Sequence, residues 1–243
     1  LLKKLKDPTN AYLPDFEECM NATLGKPCLW DPTKLSRLLG QPLESFNEQQ
    51  RLLLLCKNQI QHYKKGSLIC TKGICVVGAG GVGKTTASLL NILYSICQGL
   101  NCSITAIISE RAQELASEHL ASLLSMLRAN HLSPGQLVER CISSLYRKPE
   151  KLEYVRTLDL LLFDELGNAS AEVMSVMDTV LRYVKNSNRP YGGLLMQSTM
   201  DNLQIDPCNG WHPLLSPLFV SNFIFFCLNE CVRSATNKNW LCI

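Results

Sequence analysis

Long hydrophobic runs are missing from this sequence of 243 residues. No run approaches the roughly 20 apolar residues that cross a bilayer as a helix, and no charged segment followed by an apolar one stands at the start. We therefore expect a soluble protein that has no membrane partner. The chain begins at Leu1, not at a methionine, and ends at Ile243 within an apolar patch, so we also expect a fragment or one domain of a longer protein.

Strong charge and paired cysteines are missing as well. The formal net charge of +3 and the pI near 8.2 are too mild to indicate a nucleic-acid protein, although a basic groove could lie within a near-balanced total. The 12 cysteines never form a CxxC pair, and several of them lie in apolar runs. This pattern favours buried, reduced thiols in an intracellular protein over disulfides or a zinc site.

What the sequence does contain is a glycine-rich segment with the spacing of a phosphate-binding loop. Residues Gly78 to Thr86 read GAGGVGKTT, follow a short β-branched run and open an amphipathic stretch. Such a loop folds tightly around phosphates with its N–H groups turned inward. A side chain at Gly80, Gly81 or Gly83 would block that approach.

The residues that follow the glycines supply the polar groups of the same site. Lys84 can reach the β- and γ-phosphates, and Thr85 supplies a hydroxyl for Mg²⁺. The helix that begins near Gly83 points its positive end, roughly half a charge, at the anion. The alternative, a strand-to-helix turn without a ligand, is disfavoured by the complete spacing. The predicted nucleoside triphosphate site comprises Gly78, Gly80, Gly81, Gly83, Lys84, Thr85 and Thr86.

Apolar β-rich runs alternate with helical patterns after about residue 66, and this alternation predicts a doubly wound, mostly parallel α/β sheet flanked by helices. The ligand site of such a sheet lies at the carboxyl ends of its strands. The predicted strands are 74–77, 103–108, 158–163, 194–198 and 221–228. The predicted helices are 47–63, 83–98, 110–127, 134–146 and 171–185. Scattered prolines before residue 47 indicate an entry segment of a few short helices.

An acidic pair, Asp164 and Glu165, ends the hydrophobic strand predicted at 158–163. Two carboxylates at the end of a strand are costly without a cation. Asp164 is placed to hold Mg²⁺ through its water shell opposite Thr85, and Glu165 is placed to polarise the water that attacks the γ-phosphate. The alternative is an ordinary acidic pair before a helix.

A third polar cluster follows the strand predicted at 194–198. Gln204 in this cluster could touch the γ-phosphate and report its loss to the rest of the fold. An Asp/Asn turn closed by Pro207 is an equally good interpretation.

Taken together, these segments resemble the PIF-type DNA helicases of superfamily one, a family of ATP-driven 5′→3′ motors, over residues 46–235. Residues 45–50 resemble the adenine-reading motif of the family, which implies that Gln50 contacts the base. Residues 228–235 resemble the block that carries an arginine finger, which makes Arg233 the candidate for that role.

Three further blocks agree with the family in their order along the chain. Residues 105–106 and 110–112 resemble a motif that follows the second strand and touches single-stranded DNA. Residues 163–165 resemble the acidic motif, and residues 192–204 resemble the sensor segment that ends at Gln204.

The resemblance implies a RecA-like P-loop NTPase domain at 67–235, preceded by a short helical N-terminal segment at 1–66. Residues 236–243 would then be a tail or the start of a missing second motor domain. ATP and Mg²⁺ are the implied cofactors, and single-stranded or forked DNA is the implied partner, in the nucleus or mitochondrion if the source is eukaryotic. The catalytic residues implied are Lys84, Glu165, Gln204 and Arg233.

Two alternatives to a helicase motor stay open at this point. The GGVGKTT segment is also common in nucleotide-dependent regulatory switch ATPases, which bind partners and do not unwind DNA. A degenerate helicase copy that still binds ATP is the other alternative, because this chain departs from the family at several positions. Family members usually have glycines and a histidine where this chain has Ala116, Ser117, Ala121 and Met200.

Overall fold

The computed structural model describes residues 48–66, 72–115, 117–126, 132–201, 207 and 210–229, leaving aside the side chains of Gln50 and Glu114. The chain divides into two compact units, Leu1–Arg51 and Leu52–Ile243, and the first is described only from Glu48 onward. The domain boundary predicted after residue 66 stays a prediction. Within the described ranges, no helix combines the length and the apolar character needed to cross a membrane.

Six parallel strands form one sheet in the described part of the chain. They are β1 (Gly73–Val77), β2 (Cys102–Ala106), β3 (Glu118–His119), β4 (Leu160–Asp164), β5 (Leu195–Met200) and β6 (Phe223–Cys227). Their order across the sheet is β3-β2-β4-β5-β1-β6. The predicted parallel α/β sheet is therefore confirmed, and each of the five predicted strands is present. Because all pairs are parallel, the carboxyl ends of β1, β4 and β5 meet at one edge of the sheet.

The described helices precede or connect these strands. They are α1 (Glu48–Lys64), α2 (Lys84–Cys97), α3 (Ser109–Glu114), α4 (Leu120–Leu123), α5 (Pro134–Tyr146), α6 (Pro149–Thr157), α7 (Ala171–Val184) and α8 (Pro217–Asn222). The residues at the start of α5 explain why this helix begins where the sequence predicts. Ser133 and Gln136 form a reciprocal capping box, and Pro134 occupies the first turn, where its missing N–H is not needed. The observed bounds of α5 match the predicted helix at 134–146.

The sheet separates two apolar cores, and β1 contributes alternate residues to each. Cys75 and Val77 pack into the larger core, which α5, α6 and α7 cover. Ile74 and Val76 point to the opposite face and pack into a second cluster with Val82. Side chains that alternate between two buried faces are expected for a strand covered by helices on both sides. This burial anchors β1, from whose end the next loop begins.

The single helix predicted at 110–127 is wrong. The chain leaves the helical conformation after α3 and forms β3, whose residues Glu118 and His119 pair with Thr105 and Ala106 of β2. The hydroxyl of Thr105 also donates a hydrogen bond to the carbonyl of Glu118 at 2.8 Å. The exposed backbone groups along the edge of β2 explain this departure, because an unpaired edge strand gains hydrogen bonds from even a two-residue partner.

Gly192 lies just before β5, where the chain passes the end of α7. Its φ is +67°, and a Cβ atom at this position would stand 2.6 Å from the carbonyl oxygen of Leu181. Both the left-handed backbone and the close approach therefore require glycine. Gly192 and Gly193, which belong to the segment at 192–204 that resembles the sensor segment, thus lie just before β5, at the opposite end of that strand from Met200.

Replacing Gly192 by alanine is expected to lower the free energy of unfolding by about 2–4 kcal/mol, from backbone strain together with the contact with Leu181. Urea unfolding followed by circular dichroism measures the effect. Gly135→Ala is the matched control, because no atom lies within 4 Å of a Cβ there and alanine is the better helix former. Equal stability of the two variants would contradict this account of Gly192.

Candidate active site

The predicted phosphate loop connects the end of β1 to the start of α2. Gly83 is the N-cap residue of α2 and has a φ of 84°, a left-handed conformation that glycine adopts without strain. The first turn of α2 therefore begins directly at Lys84 and Thr85, with its free N–H groups at the loop. Gly78 meets a further packing constraint, because a Cβ atom there would stand 2.5 Å from the carbonyl oxygen of Leu228. Its missing side chain makes room for the chain that follows β6.

A cavity of about 470 Å³ lies against this loop. This volume falls within the roughly 300–1,000 Å³ of typical ligand pockets. The predicted residues that line it are Gly80, Gly81, Gly83, Lys84, Thr85, Thr86 and Glu165. Arg111, Thr199 and Asp201 complete the lining. The structure thus brings the glycine loop and the acidic strand end to one cavity, although they are far apart in the sequence.

The ammonium group of Lys84 lies among oxygen atoms at the mouth of the loop. It donates hydrogen bonds to the carbonyls of Gly78 and Ala79, the latter at 2.8 Å. It also forms an ion pair with Asp201, with 3.3 Å between Nζ and Oδ2. Both side chains are nearly buried, with 11% of Lys84 and 5% of Asp201 exposed. Oxygen acceptors therefore hold the Lys84 ammonium group at the cavity. Phosphate groups would offer it oxygen acceptors as well.

Asp164, the last residue of β4, is fully buried beneath the cavity. Its Oδ1 accepts a hydrogen bond from the hydroxyl of Thr199 at 2.6 Å, and its Oδ2 accepts one from Nε of Arg111 at 2.7 Å. A carboxylate with no exposure is stable as an anion only with such partners. Arg111 supplies the opposite charge, and Thr199 fixes the orientation of the group.

Glu165 follows Asp164 and turns its side chain into the cavity. Its φ of 52° is uncommon for a residue other than glycine, and its N–H donates a hydrogen bond to the hydroxyl of Thr199 at 2.9 Å. The Glu165 carboxylate also pairs with Arg111, with 3.6 Å between Oε1 and Nε. Unusual backbone conformations of this kind concentrate at functional sites, where the surrounding structure holds them in place.

Thr85 and Asp164 face each other across a single side chain. Nη2 of Arg111 donates a hydrogen bond to Oγ1 of Thr85 at 2.8 Å, while Nε of the same group binds Asp164. One guanidinium group therefore reaches both oxygen atoms that the sequence analysis assigned to Mg²⁺. Thr85 and Asp164 therefore lie on either side of the Arg111 guanidinium group, and their assignment to Mg²⁺ stays a prediction.

Three predicted site residues cannot be placed. Gln204 and Arg233 lie outside the described residues, as does the side chain of Gln50. Their assigned contacts with the γ-phosphate, the transferred phosphoryl group and the base stay predictions.

Two residues in contact with the acidic pair, Arg111 and Thr199, were not predicted as site residues. Arg111 appeared in the sequence analysis only within a block that resembles a DNA-contacting motif. Thr199 appeared only within the segment at 192–204 that resembles the sensor segment of the family. A signal for Thr199 does exist, because Gln197, Ser198 and Thr199 form a polar run in a strand whose neighbours are apolar, and all three are buried. Buried polar side chains require partners, so such a run indicates a polar site nearby.

A parallel sheet with a glycine loop after β1 and an acidic pair at the end of β4 has a RecA-like α/β fold, as predicted. No protein-family model matches the chain. The ATP-dependent DNA helicase PIF6 of Trypanosoma brucei brucei is 26% identical over 142 residues, which are 58% of this chain and 17% of that protein. The ATP-dependent DNA helicase Pif1 of Psychrobacter sp. is 22% identical over 136 residues, which are 56% of this chain and 20% of that protein.

Solved structures with a similar fold carry the same family name. The Pif1 helicase from Candida albicans superimposes with a TM-score of 0.63 at 17% identity, over 76% of this chain and 42% of that one. Bacteroides sp Pif1 in complex with ADP-AlF4 gives a TM-score of 0.58 at 20% identity, over 77% of this chain and 42% of that one.

The predicted resemblance to PIF-type helicases is therefore confirmed. The curated relatives and the fold neighbours agree on it, and both sets match this chain with only part of their own length. The chain spans about a fifth of the length of the curated relatives, 17% and 20%.

Proposed function

We propose that this chain is the first RecA-like motor domain of a PIF-type DNA helicase and that it binds and hydrolyses ATP with Mg²⁺. The observation that carries the proposal is the position of Lys84 and Thr85 against Asp164 and Glu165 around one cavity. A loop that binds phosphate, a hydroxyl and a carboxylate for the metal, and a second carboxylate for water are the parts that phosphoryl transfer to water requires.

The side chains around the cavity fit a divalent metal ion. In the described parts of the chain, no group of three His, Cys, Asp or Glu side chains could hold a metal ion alone. Mg²⁺ does not need such a group, because it keeps several waters and binds through one or two protein oxygens together with substrate phosphates. Thr85 and Asp164 would supply those two oxygens. When bound, Mg²⁺ would neutralise negative charge that develops on the phosphate groups.

The remaining roles follow from the positions of the side chains. Lys84 and the N–H groups at the start of α2 would bind the phosphate oxygens and stabilise negative charge as it develops. Glu165 would accept a proton from the attacking water as the water oxygen bonds to the γ-phosphorus. The bond from that phosphorus to the bridging oxygen breaks, so that ADP and inorganic phosphate leave and the proton passes to solvent.

Single-stranded DNA is the proposed partner. Bacteroides Pif1 has been solved bound to single-stranded DNA, and its fold resembles this chain with a TM-score of 0.53 at 21% identity. We extend the same class of partner to this chain on the order of its motif blocks. Unwinding is proposed for a longer protein that combines this domain with a second RecA-like domain. In that protein, Gln204 and Arg233 of this chain would act on the γ-phosphate.

The experiment that tests nucleotide binding is a calorimetric titration of the chain with ATP in the presence of Mg²⁺. We expect binding heat, a rise in melting temperature and displacement of ATP by ADP. Absence of all three would refute the proposal.

DNA coupling needs a separate measurement. Phosphate release is followed with and without single-stranded DNA, in a protein that includes the second motor domain. We expect DNA to raise the turnover of ATP. Turnover that is indifferent to DNA would contradict the helicase assignment and leave only an ATPase.

A further inference from the structure

Arg111 has a position in the cavity that the proposed function does not explain. It lies in α3, which follows β2 at the same edge of the sheet as the phosphate loop. Its guanidinium group donates to Thr85 at 2.8 Å and to Asp164 at 2.7 Å, and it pairs with Glu165 at 3.6 Å. One cation thus connects the loop side of the cavity with both carboxylates of the acidic pair.

These contacts use the oxygens through which a metal ion would bind. Thr85 Oγ1 and Asp164 Oδ2 each accept a hydrogen bond from Arg111 at a distance that leaves no room for a water or an ion between them. Each of these oxygens has a further lone pair, but an Mg²⁺ ion in the gap between them would overlap with the guanidinium group and be repelled by its positive charge. Arg111 and the metal ion therefore cannot occupy the gap between these two oxygens at the same time.

The charges around the acidic pair explain why a cation stands there. Asp164 is fully buried, and its other oxygen accepts a hydrogen bond from the neutral hydroxyl of Thr199. A buried carboxylate without a nearby cation is strongly unfavourable. Arg111 supplies that cation, and a metal ion at the same oxygens would supply it equally well. When a metal ion replaces the Arg111 guanidinium group, the negative charge of Asp164 still has a positive partner.

The Arg111 side chain also has an alternative position on the solvent side of the cavity. Its side chain is 24% exposed, whereas Asp164 is fully buried, so the arginine can leave the pair on the solvent side without disturbing the core. Glu165, itself 24% exposed, lies within ion-pair distance and offers a carboxylate for the displaced guanidinium. Arginine is also suited to phosphate oxygens, because its planar fork binds them in a bidentate manner.

We propose that Arg111 is a displaceable cation that occupies the metal position between Thr85 and Asp164 and competes with Mg²⁺ for it. This inference rests on the proposed function, because it assigns those two oxygens to the metal. Arg111 sets the concentration of divalent cation that the site requires, so the chain does not hold a metal ion tightly before nucleotide arrives.

The test uses Mn²⁺ as the probe and measures free Mn²⁺ by its electron paramagnetic resonance signal, without nucleotide. We expect Arg111→Gln to bind Mn²⁺ at least about tenfold more tightly than the unchanged protein, which corresponds to about 1.4 kcal/mol. Excess Mg²⁺ should displace the bound Mn²⁺. Arg140→Gln, which removes an exposed arginine from α5, is the matched control and should leave Mn²⁺ affinity unchanged.

Arg111→Lys serves as a second variant that keeps the charge, and it is used alone if Arg111→Gln does not fold. A lysine is a compact point charge and lacks the planar fork with which the guanidinium group bridges Thr85 and Asp164. Its Mn²⁺ affinity should therefore exceed that of the unchanged protein. Equal or weaker Mn²⁺ binding by the Arg111 variant that folds would overturn the competition.

Repeating the titrations with ADP separates this proposal from the proposed function. If ADP binds to all variants and the Mn²⁺ affinities do not differ, Arg111 is a fixed structural partner and the competition is refuted, while the ATPase assignment stands. If the Mn²⁺ affinities differ as expected but no variant binds ADP, the site is a metal site that competes with Arg111, and the ATPase assignment fails.

Discussion

Replacing Glu165 by glutamine is expected to slow ATP cleavage by about 10²-fold or more while ATP stays bound, because the amide cannot accept the proton of the attacking water. The substitution keeps the size of the side chain. It leaves the hydrogen bond from the Glu165 N–H to Thr199 in place, since that bond belongs to the backbone. Single-turnover phosphate release measures cleavage, and the fluorescence of a labelled ATP analogue measures affinity.

The matched control for this prediction is Glu139→Gln, which changes an exposed glutamate of α5 outside the cavity. We expect it to cleave ATP at the rate of the unchanged protein. The role assigned to Glu165 is wrong if its variant cleaves ATP at that same rate. A variant that loses ATP binding instead would place Glu165 in nucleotide recognition.

Replacing Lys84 by alanine is expected to lower ATP affinity and turnover together, unlike the change at Glu165. Hydrogen bonds to charged groups contribute about 1.5–3 kcal/mol, so we expect affinity to fall by roughly 10- to 150-fold. The rate falls further because the same ammonium group stabilises the phosphate charge that develops in the transition state. Calorimetry and steady-state kcat/KM measure the two effects.

The ion pair between Lys84 and Asp201 affects the interpretation of this variant, and it also provides a control. Lys84 is the partner of Asp201, which is almost buried, so its loss also leaves that carboxylate without its ion pair. Lys84→Ala alone should therefore melt at a lower temperature. Adding Asp201→Asn should restore the melting temperature but not the affinity for ATP. Recovery of both in the double variant would show that Lys84 acts on nucleotide only through the stability of the fold.

The parts of the site that could be predicted from the sequence are those encoded in short segments. The phosphate loop has a fixed spacing between Gly78 and Thr85, and its position after a β-branched run identified the strand, the loop and the helix together. Asp164 and Glu165 were equally accessible, because charges directly after a buried strand must lie at the end of the sheet. Parallel topology then places both segments at one edge.

The contacts between segments could not be predicted in the same way. Arg111 reaches Thr85 and Asp164 from positions 26 and 53 residues away in the sequence. No local pattern states which way an arginine on a six-residue helix points. The pairing of Lys84 with Asp201 spans 117 residues and depends on β5 lying next to β1, an order that alternation alone does not give.

Helix prediction failed for a related reason in the segment after β2. Residues 110–127 have good helical periodicity, yet Glu118 and His119 form β3 because the edge of β2 offers them backbone hydrogen bonds. Local propensity is a weak preference, and tertiary hydrogen bonding outweighed it here. The sixth strand of the sheet was missed with it.

The carboxyl end of β5 contacts both the acidic pair and the phosphate loop. Thr199 restrains the acidic pair and Asp201 restrains the loop lysine, and these two residues stand two positions apart at the end of the same strand. A ligand that draws Lys84 toward itself would release one of these two tethers and leave the other intact. The restraints on this end of β5 would then change with the occupant of the cavity.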